Sequence, residues 1–393
     1  MPSKSEFYFF QQNKVLHYCQ VRKNKLHNLM VASNLDLLYG CVFLAKVTKF
    51  LTKDNAAFVD IGLAEDAYLE VDTNSSLISS TVAASSTDAA SLHEGQFVLV
   101  QLIKLSCGSK RAKVTTNIKL AAAYLVNLVS QRDVICFSNK IKNKEDISRL
   151  SALLTQNSSL TTGWLVRTAA KGVADAAIVA SMDQLNCIRE QIFKSLQQNF
   201  STPRLIYQPD FIYLQLMQDR FADATVYADS FMMQELAGFS ESNNLSMQNL
   251  KAIPDFIDAS LINLQSAKVN LQPHGNIIIE STSALTAIDV NAAAFNCKSG
   301  AKQDFIFNIN KNAASEIALQ LRLRNISGIV VIDFINMKQK KHRQYLLEHL
   351  AAEVACDLCA VKIGSFSDLG LVELSRQFVA ADFASVYKNL DKK

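Results

Sequence analysis

Apolar and polar residues alternate in short bursts along residues 42–71, "VFLAKVTKFLTKDNAAFVDIGLAEDAYLEV", with turn-forming residues between the bursts. Such a pattern predicts the short strands of a small barrel. Residues 74–91, "NSSLISSTVAASSTDAAS", are rich in Ser and Ala and read as a mobile insertion. The strand pattern resumes in "GQFVLVQLIKL" and "RAKVTT", so a barrel with a long internal loop is expected. From about residue 119 into the mid-200s, strands such as "WLVRT" and "RLIYQ" alternate with longer helical stretches, a mixed α/β region. Towards the C-terminal end, "NIIIE", "LTAIDVN" and "GIVVIDF" supply strands, and "AASEIALQLRLR" places Ala314, Ile317, Ala318 and Leu321 on one helical face. The stretch "EHLAAEVACDLCAV" reads as a helix followed by a strand, and no internal repeat is found.

Two of these strands carry acids where apolar side chains are expected. In "LTAIDVNAAAF", alternation sends Ile288 and Val290 to one face and Ala287, Asp289 and Asn291 to the other. In "GIVVIDFINM", a continuous apolar run of the kind expected for a strand covered on both faces is interrupted by Asp333. Two acids in buried strands need a partner, either a metal ion or arginines in a structural network. A parallel anomaly concerns aromatic rings. In "AAFVDIG", Ala57, Val59 and Ile61 share a side while Phe58 accompanies Asp60; in "DAYLEV", Tyr68 stands with Asp66 and Glu70. Rings exposed on a barrel beside the basic run Lys110, Arg111 and Lys113 suit single-stranded nucleic acid, where bases stack on rings and cations meet phosphate. Coverage of the rings by a loop or a neighbouring domain is the other reading.

Composition narrows the class of protein. With 393 residues, 49% hydrophobic and 19% charged, the chain is well folded and long enough for two to four structural units. A net charge of +4 is too small to identify nucleic acid as a partner by itself, and the clusters at Lys110 and at Lys338, Lys340, Lys341, His342 and Arg343 read individually as solvated faces. No run approaches a membrane helix, and the start "MPSKSEFYFFQQNK" lacks the apolar core and cleavage site of a secretory signal, so a cytoplasmic location is expected. The eight cysteines have no framework spacing. Cys356 and Cys359 form a single CxxC pair, which would need a second copy of the chain to complete a four-thiolate zinc site.

Taken in order, "AAFVDIGLAEDAYL", "EGQFVLVQ", "GWLVRTA", "STSALTAIDVN", "EIALQLRLR", "GIVVIDFINM" and "LVELSRQ" resemble the bacterial RNase E/G endoribonucleases across almost the whole chain. The resemblance implies a multidomain α/β fold: an OB-fold β-barrel inserted in an RNase H-like and 5′-sensor region, followed by a DNase I-like catalytic domain. The implied segments are 1–38 and 203–274 (RNase H-like), 39–118 (OB-fold), 119–202 (5′ sensor) and 275–393 (catalytic). It also implies that Asp289 and Asp333 bind Mg2+, that Asn291 holds the first carboxylate, and that Arg167 and Thr168 grip a 5′-monophosphate. Phe58, Tyr68 and Lys110 align with residues that bind RNA. Magnesium suits this set, because it takes hard oxygen ligands and is often held by one or two carboxylates. The implied activity is hydrolysis of single-stranded A/U-rich RNA to 5′-phosphate products in mRNA decay and stable-RNA maturation.

The chain departs from the family pattern at several points. Ser283 stands where an acid is usual, "AAAFNCKSG" follows Asn291, and Ala170 and Lys171 replace a more glycine-rich turn. Beyond "SRQ" the sequence reads "FVAADFASVYKNLDKK". Neither the family's zinc-binding CxxC clamp nor a scaffold for degradosome partners is expected, and a homo-oligomer would have to form without the clamp. The alternative function is a degenerate relative that binds RNA without cutting it. Retention of Asp289, Asn291 and Asp333 favours the enzyme, since two acids near a polyanion call for a cation between them.

Overall fold

The computed structural model describes residues 5–33, 38–51, 55–70, 92–105, 111–131, 134–157, 162–197, 201–209, 214, 220–221, 224–242, 245–292, 301–378 and 380–388. The 74–91 insertion and Lys110 lie outside the described residues. The chain divides into two compact units, one of residues 1–36 and 216–393, the other of residues 37–215.

The first unit opens with an antiparallel meander, β1 (Glu6–Gln12), β2 (Val15–Arg22) and β3 (Lys25–Ala32). Its hairpin loops, Asn13–Lys14 and Lys23–Asn24, hold φ angles of 51° and 62°, and of 50° and 55°. Paired left-handed residues of this kind match the twist of the flanking strands.

The second unit contains the barrel expected from the alternation: β4 (Val42–Leu51), β5 (Ala56–Asp60), β6 (Ala67–Glu70), β7 (Phe97–Lys104) and β8 (Lys113–Thr115). The strands run in the order β4-β5-β6-β8-β7, and pairing of β4 with β7 closes the ring. Ala57, Val59, Leu69, Val98, Val100, Leu102 and Val114 fill its interior. This closed five-stranded barrel is compatible with an OB-fold. Four further strands, β9 (Lys119–Ala121), β10 (Leu125–Leu128), β11 (Ile135–Phe137) and β12 (Gly163–Val166), form a sheet ordered β11-β12-β10-β9. The helices α1 (Lys144–Asn157) and α2 (Asp175–Ser195) pack Leu150, Leu154, Ile178, Met182 and Leu185 in one cluster with Trp164 and Val166 of β12. β13 (Arg204–Tyr207) pairs with β4.

Returning to the first unit, β14 (Thr225–Ala228) and β15 (Met247–Asn249) add parallel strands to the meander, giving the order β15-β14-β1-β2-β3. Between them lie the short helices α3 (Ser230–Glu235) and α4 (Ala237–Ser242), and α5 (Asp255–Asn263) buries Ile257 and Leu261 in the core of this layer. The rest of the unit is a six-stranded sheet of β16 (Lys268–Asn270), β17 (Asn276–Ser281), β18 (Leu285–Asn291), β19 (Gly328–Asp333), β20 (Val361–Phe366) and β21 (Val372–Arg376), in the order β16-β17-β18-β19-β21-β20. β18 and β19 are parallel and are joined through α6 (Ala301–Leu323); α7 (Lys340–Val354) follows β19, and α8 (Phe383–Lys388) ends the described chain. Ala314, Ile317, Ala318 and Leu321 of α6 are fully buried, as their spacing predicts, and pack in one cluster with Ile288, Val290, Val330, Ile332 and Leu374.

One expectation is overturned here. The run "GIVVIDF" predicts a strand covered on both faces, yet β19 buries Val330 and Ile332 while Ile329 is 54% exposed and Asp333 is exposed. The core cluster takes the side chains of one face of this sheet, and β18 shows the same pattern, with Ile288 and Val290 buried and Asp289 exposed. The acids do not lie in buried strands, and no arginine network is needed to accommodate them.

Candidate functional site

Asp289 and Asp333 are cross-strand partners on the parallel pair β18–β19. The pairing of Ile288 with Ile332 locks this register, since a slip of one residue in either strand would turn that strand's acid into the core. Asn291, two residues after Asp289 and on the same face, donates from Nδ2 to Asp289 Oδ2 at 2.6 Å. Its backbone is approached by Gly275, whose φ is +102° and where a Cβ would come within 2.5 Å of the Asn291 carbonyl oxygen. Only glycine fits that position. Two carboxylates and an amide thus converge on an open face, and among the described residues no third His, Cys, Asp or Glu is close enough to complete a protein cage. This donor set fits magnesium, which commonly keeps most of its water and takes one or two carboxylates. It does not fit zinc, which favours several nitrogen or sulfur ligands.

The loop after Asp333 is held firmly. Asn310 of α6 donates from Nδ2 to the Ile335 carbonyl at 2.7 Å and accepts from the Ile335 N–H at 3.0 Å, and Arg343 donates to the Met337 carbonyl at 2.9 Å. Phe334 and Met337 are buried. The position of Asp333 is therefore fixed by packing on both sides of it.

On the barrel, Phe58 and Tyr68 are both half-buried and pair across β5–β6, with ring centroids 6.0 Å apart and an interplanar angle of 66°. Register extends this pair into a row: Lys49 faces Phe58, Tyr68 faces Lys113, and Lys113 faces Lys104. Arg111 lies over the Phe58 ring at 4.7 Å, and Lys113 pairs with Glu70. Two rings bordered by cations have the make-up of a surface that can stack bases and neutralise phosphates. The acids that share the face are used locally: Asp66 accepts from the Thr48 hydroxyl at 2.7 Å and Asp60 from the Gly62 N–H at 2.8 Å. Sequence alternation identified the rings but not Lys49 or Lys104, because bulges at Thr48 and Ile103 shift the pairing that brings them into the row. Phe58→Ala and Tyr68→Ala should each weaken binding of an unstructured oligoribonucleotide by about 1–3 kcal/mol in a fluorescence-anisotropy titration. Thermal melting should move little, because the barrel interior is filled by Val59, Leu69 and their neighbours. A large drop in melting temperature with unchanged affinity would make the rings packing groups.

β12 ends at Val166, so Arg167 and Thr168 lie just beyond the strand, at the start of a 3-10 turn, rather than on it. Arg167 is half-buried and donates from Nη1 to the Ala122 carbonyl at 2.6 Å, and its backbone N–H bonds to Tyr124. The Thr168 hydroxyl is exposed and lies 2.8 Å from that of Ser138. In the altered turn, Ala170 is buried and Gly172 takes the left-handed conformation, with φ of +70°.

Cys356 is exposed and Cys359 buried, and burial pushes the Cys359 thiol up to about 11. Asp357, between them, carries a contact that the sequence did not reveal. Its carboxylate takes two hydrogen bonds from Arg376, at 2.9 and 3.1 Å, with both side chains almost completely buried.

Residues 119–379 match the model of the Ribonuclease E/G family. The chain belongs to that family. It is 28% identical to ribonuclease G of Haemophilus influenzae over 365 residues, which cover 86% of this chain and 72% of the relative. Ribonuclease E of a Nostoc species is 32% identical over 371 residues, covering 90% of this chain and 53% of its own length. Ribonuclease G of Escherichia coli is 30% identical over 364 residues, with 86% and 73% covered. The family match spans Arg167, Thr168, Asp289, Asn291 and Asp333 but not the barrel strands β4–β8, so the barrel site rests on its own geometry. Among the described residues no helix is long and apolar enough to cross a membrane.

Proposed function

We propose that this chain, an endoribonuclease of the E/G family, is a magnesium-dependent hydrolase of single-stranded, A/U-rich RNA that favours substrates bearing a 5′-monophosphate. The observation that carries this reading is the in-register pair Asp289–Asp333, with Asn291 beside it, on an open sheet face. Asp289 and Asp333 would hold the ion. Magnesium bound there supplies Lewis-acid polarisation of the scissile phosphate and neutralises charge that builds on it. Asn291 keeps the Asp289 carboxylate turned to the open face, and the fixed loop at Ile335 does the same for the backbone of Asp333. Without a cation, two carboxylates would repel a polyanion. The barrel rings hold unpaired bases, which accounts for a preference for single strands. Hydrolysis would leave the 5′-phosphate on the downstream fragment. Release of 5′-phosphorylated fragments from a labelled single-stranded oligoribonucleotide, with magnesium and not with excess chelator, tests the reading; retention of full-length RNA bound to the protein would support a degenerate binder instead.

Segments 1–38 and 203–274 are assigned as RNase H-like, 39–118 as an OB-fold, 119–202 as a 5′ sensor and 275–393 as DNase I-like. The order β15-β14-β1-β2-β3, drawn from two distant pieces of chain, supports the first assignment. Such a protein acts in mRNA decay and stable-RNA maturation in the cytoplasm.

Arg167 would grip the terminal monophosphate through charge-assisted hydrogen bonds, its guanidinium already oriented by Ala122. Monophosphorylated RNA should be cut faster than triphosphorylated RNA. Arg167→Gln should erase most of that difference and spare the slower reaction on triphosphorylated or circular RNA. Initial rates on the three substrates decide it, and equal wild-type rates would mean that the pocket does not sense the end.

A further inference from the structure

Glu373 of β21 lies on the same open face as the two aspartates. It faces Val331 across the antiparallel pair β19–β21, which makes it the diagonal neighbour of Asp333. Diagonal neighbours of this kind stand about 7–8 Å apart at Cα, close enough for one water to bridge their carboxylates. Among the described residues no third carboxylate joins the pair in a direct ligand set, which leaves Glu373 a role through water.

Two further features single this residue out. The pairing of β20 with β21 slips between Ile363 and Phe366, so that Gly364 and Ser365 together oppose Glu373. Bulges of this type re-aim a side chain and concentrate beside active sites. Gly364 is the residue that allows it, since a Cβ there would come within 3.1 Å of the Glu373 carbonyl oxygen. In addition, Glu373 is exposed, and among the described residues its carboxylate makes no hydrogen bond or ion pair, although Lys362 projects from the neighbouring strand. An unpaired acid on a surface that must receive a polyanion has no stabilising function of its own.

We propose that Glu373 is a positioning residue of the Asp289–Asp333 site, accepting hydrogen bonds from water held at that pair and adding a third negative charge to the hold on a divalent cation. The proposal rests on the magnesium reading above. Outer partners of this kind change metal affinity by about 10–100-fold when removed. A built-in control exists in Glu280 of β17, which faces Ala287 and is therefore the diagonal neighbour of Asp289 on the opposite side, with regular pairing and no bulge.

Mn2+ binding to the free protein, followed by loss of the free-ion electron paramagnetic resonance signal, tests the idea without reference to catalysis. Glu373→Gln should weaken Mn2+ binding about 10–100-fold with an unchanged melting temperature. Glu373→Asp should recover part of the loss, and Glu280→Gln should change binding only a few-fold. The magnesium concentration for half-maximal cleavage should rise in parallel in Glu373→Gln while RNA affinity stays constant. Equal losses in Glu373→Gln and Glu280→Gln would reduce the effect to the general field of the surface and overturn the proposal, as would no loss in Glu373→Gln. Asp289→Asn separates the two levels. If it abolishes Mn2+ binding while Glu373→Gln does not weaken it, only the role of Glu373 falls; if Asp289→Asn binds Mn2+ as the wild type does, the metal reading falls with it.

Discussion

Asp333→Asn should slow RNA cleavage by about a thousandfold or more while leaving affinity for an uncut oligoribonucleotide near that of the wild type. The substitution removes one of two charges available to hold the cation, and the electrostatic stabilisation lost is several kcal/mol, with each 1.36 kcal/mol worth about a factor of ten in rate. Asp333 is exposed and makes no contact with the buried face of its sheet, so folding should be spared. Its strand partner Asp289 should behave alike, and the two substitutions together should cost little more than either one, because a pair that acts as a unit is lost once. Single-turnover rates with saturating protein, alongside equilibrium binding, separate the two effects. Cleavage by Asp333→Asn at the wild-type rate would remove the pair from the mechanism.

Asp357→Ala should destabilise the first unit by about 3–5 kcal/mol, because it removes the carboxylate that takes two hydrogen bonds from the buried Arg376 guanidinium. Arg376 also donates to Asn325 Oδ1 at 2.9 Å and to the Ile326 carbonyl at 3.0 Å, neither of which carries a charge. Asp357 also accepts from the Cys359 N–H at 2.9 Å, so the turn that leads into β20 loosens as well. For a unit of this size each kcal/mol moves the midpoint by about 2–4 °C, so a fall of about 6–20 °C is expected in thermal melting. Replacing Arg376 by Met in the same background should restore part of the loss, since removing both charges is less costly than stranding one. A melting temperature within a degree or two of the wild type would show that the pair is dispensable.

These two predictions differ in how visible their residues are in the sequence. Asp333 and Asp289 stand out because each breaks an apolar pattern, and the alternation correctly assigned Asp289 and Asn291 to one face. What alternation could not supply was the state of that face. A run such as "GIVVIDF" reads the same whether one or two layers cover the strand, and only the tertiary arrangement leaves Ile329 in solvent. Phe58 and Tyr68 were legible for the same reason as the aspartates, and the cations around them were not, because bulges change which residues face each other. The Arg376–Asp357 pair leaves no local signature at all. A buried ion pair between a loop and a strand 19 residues away depends on packing that neither segment encodes alone.

The division of the chain also constrains when each part can form. The meander β1–β3 leaves the ribosome before residues 37–215, and its partner β14 comes after the whole of them. At about 5–20 residues per second, those roughly 180 residues delay completion of the first sheet by about 10–35 seconds. During that interval β1 has one side paired with β2 and the other side open, an edge able to capture a second nascent chain. The inserted unit, contiguous in sequence, is free to fold throughout the wait, so the barrel is completed before the sheet that carries Asp289 and Asp333 has been synthesised.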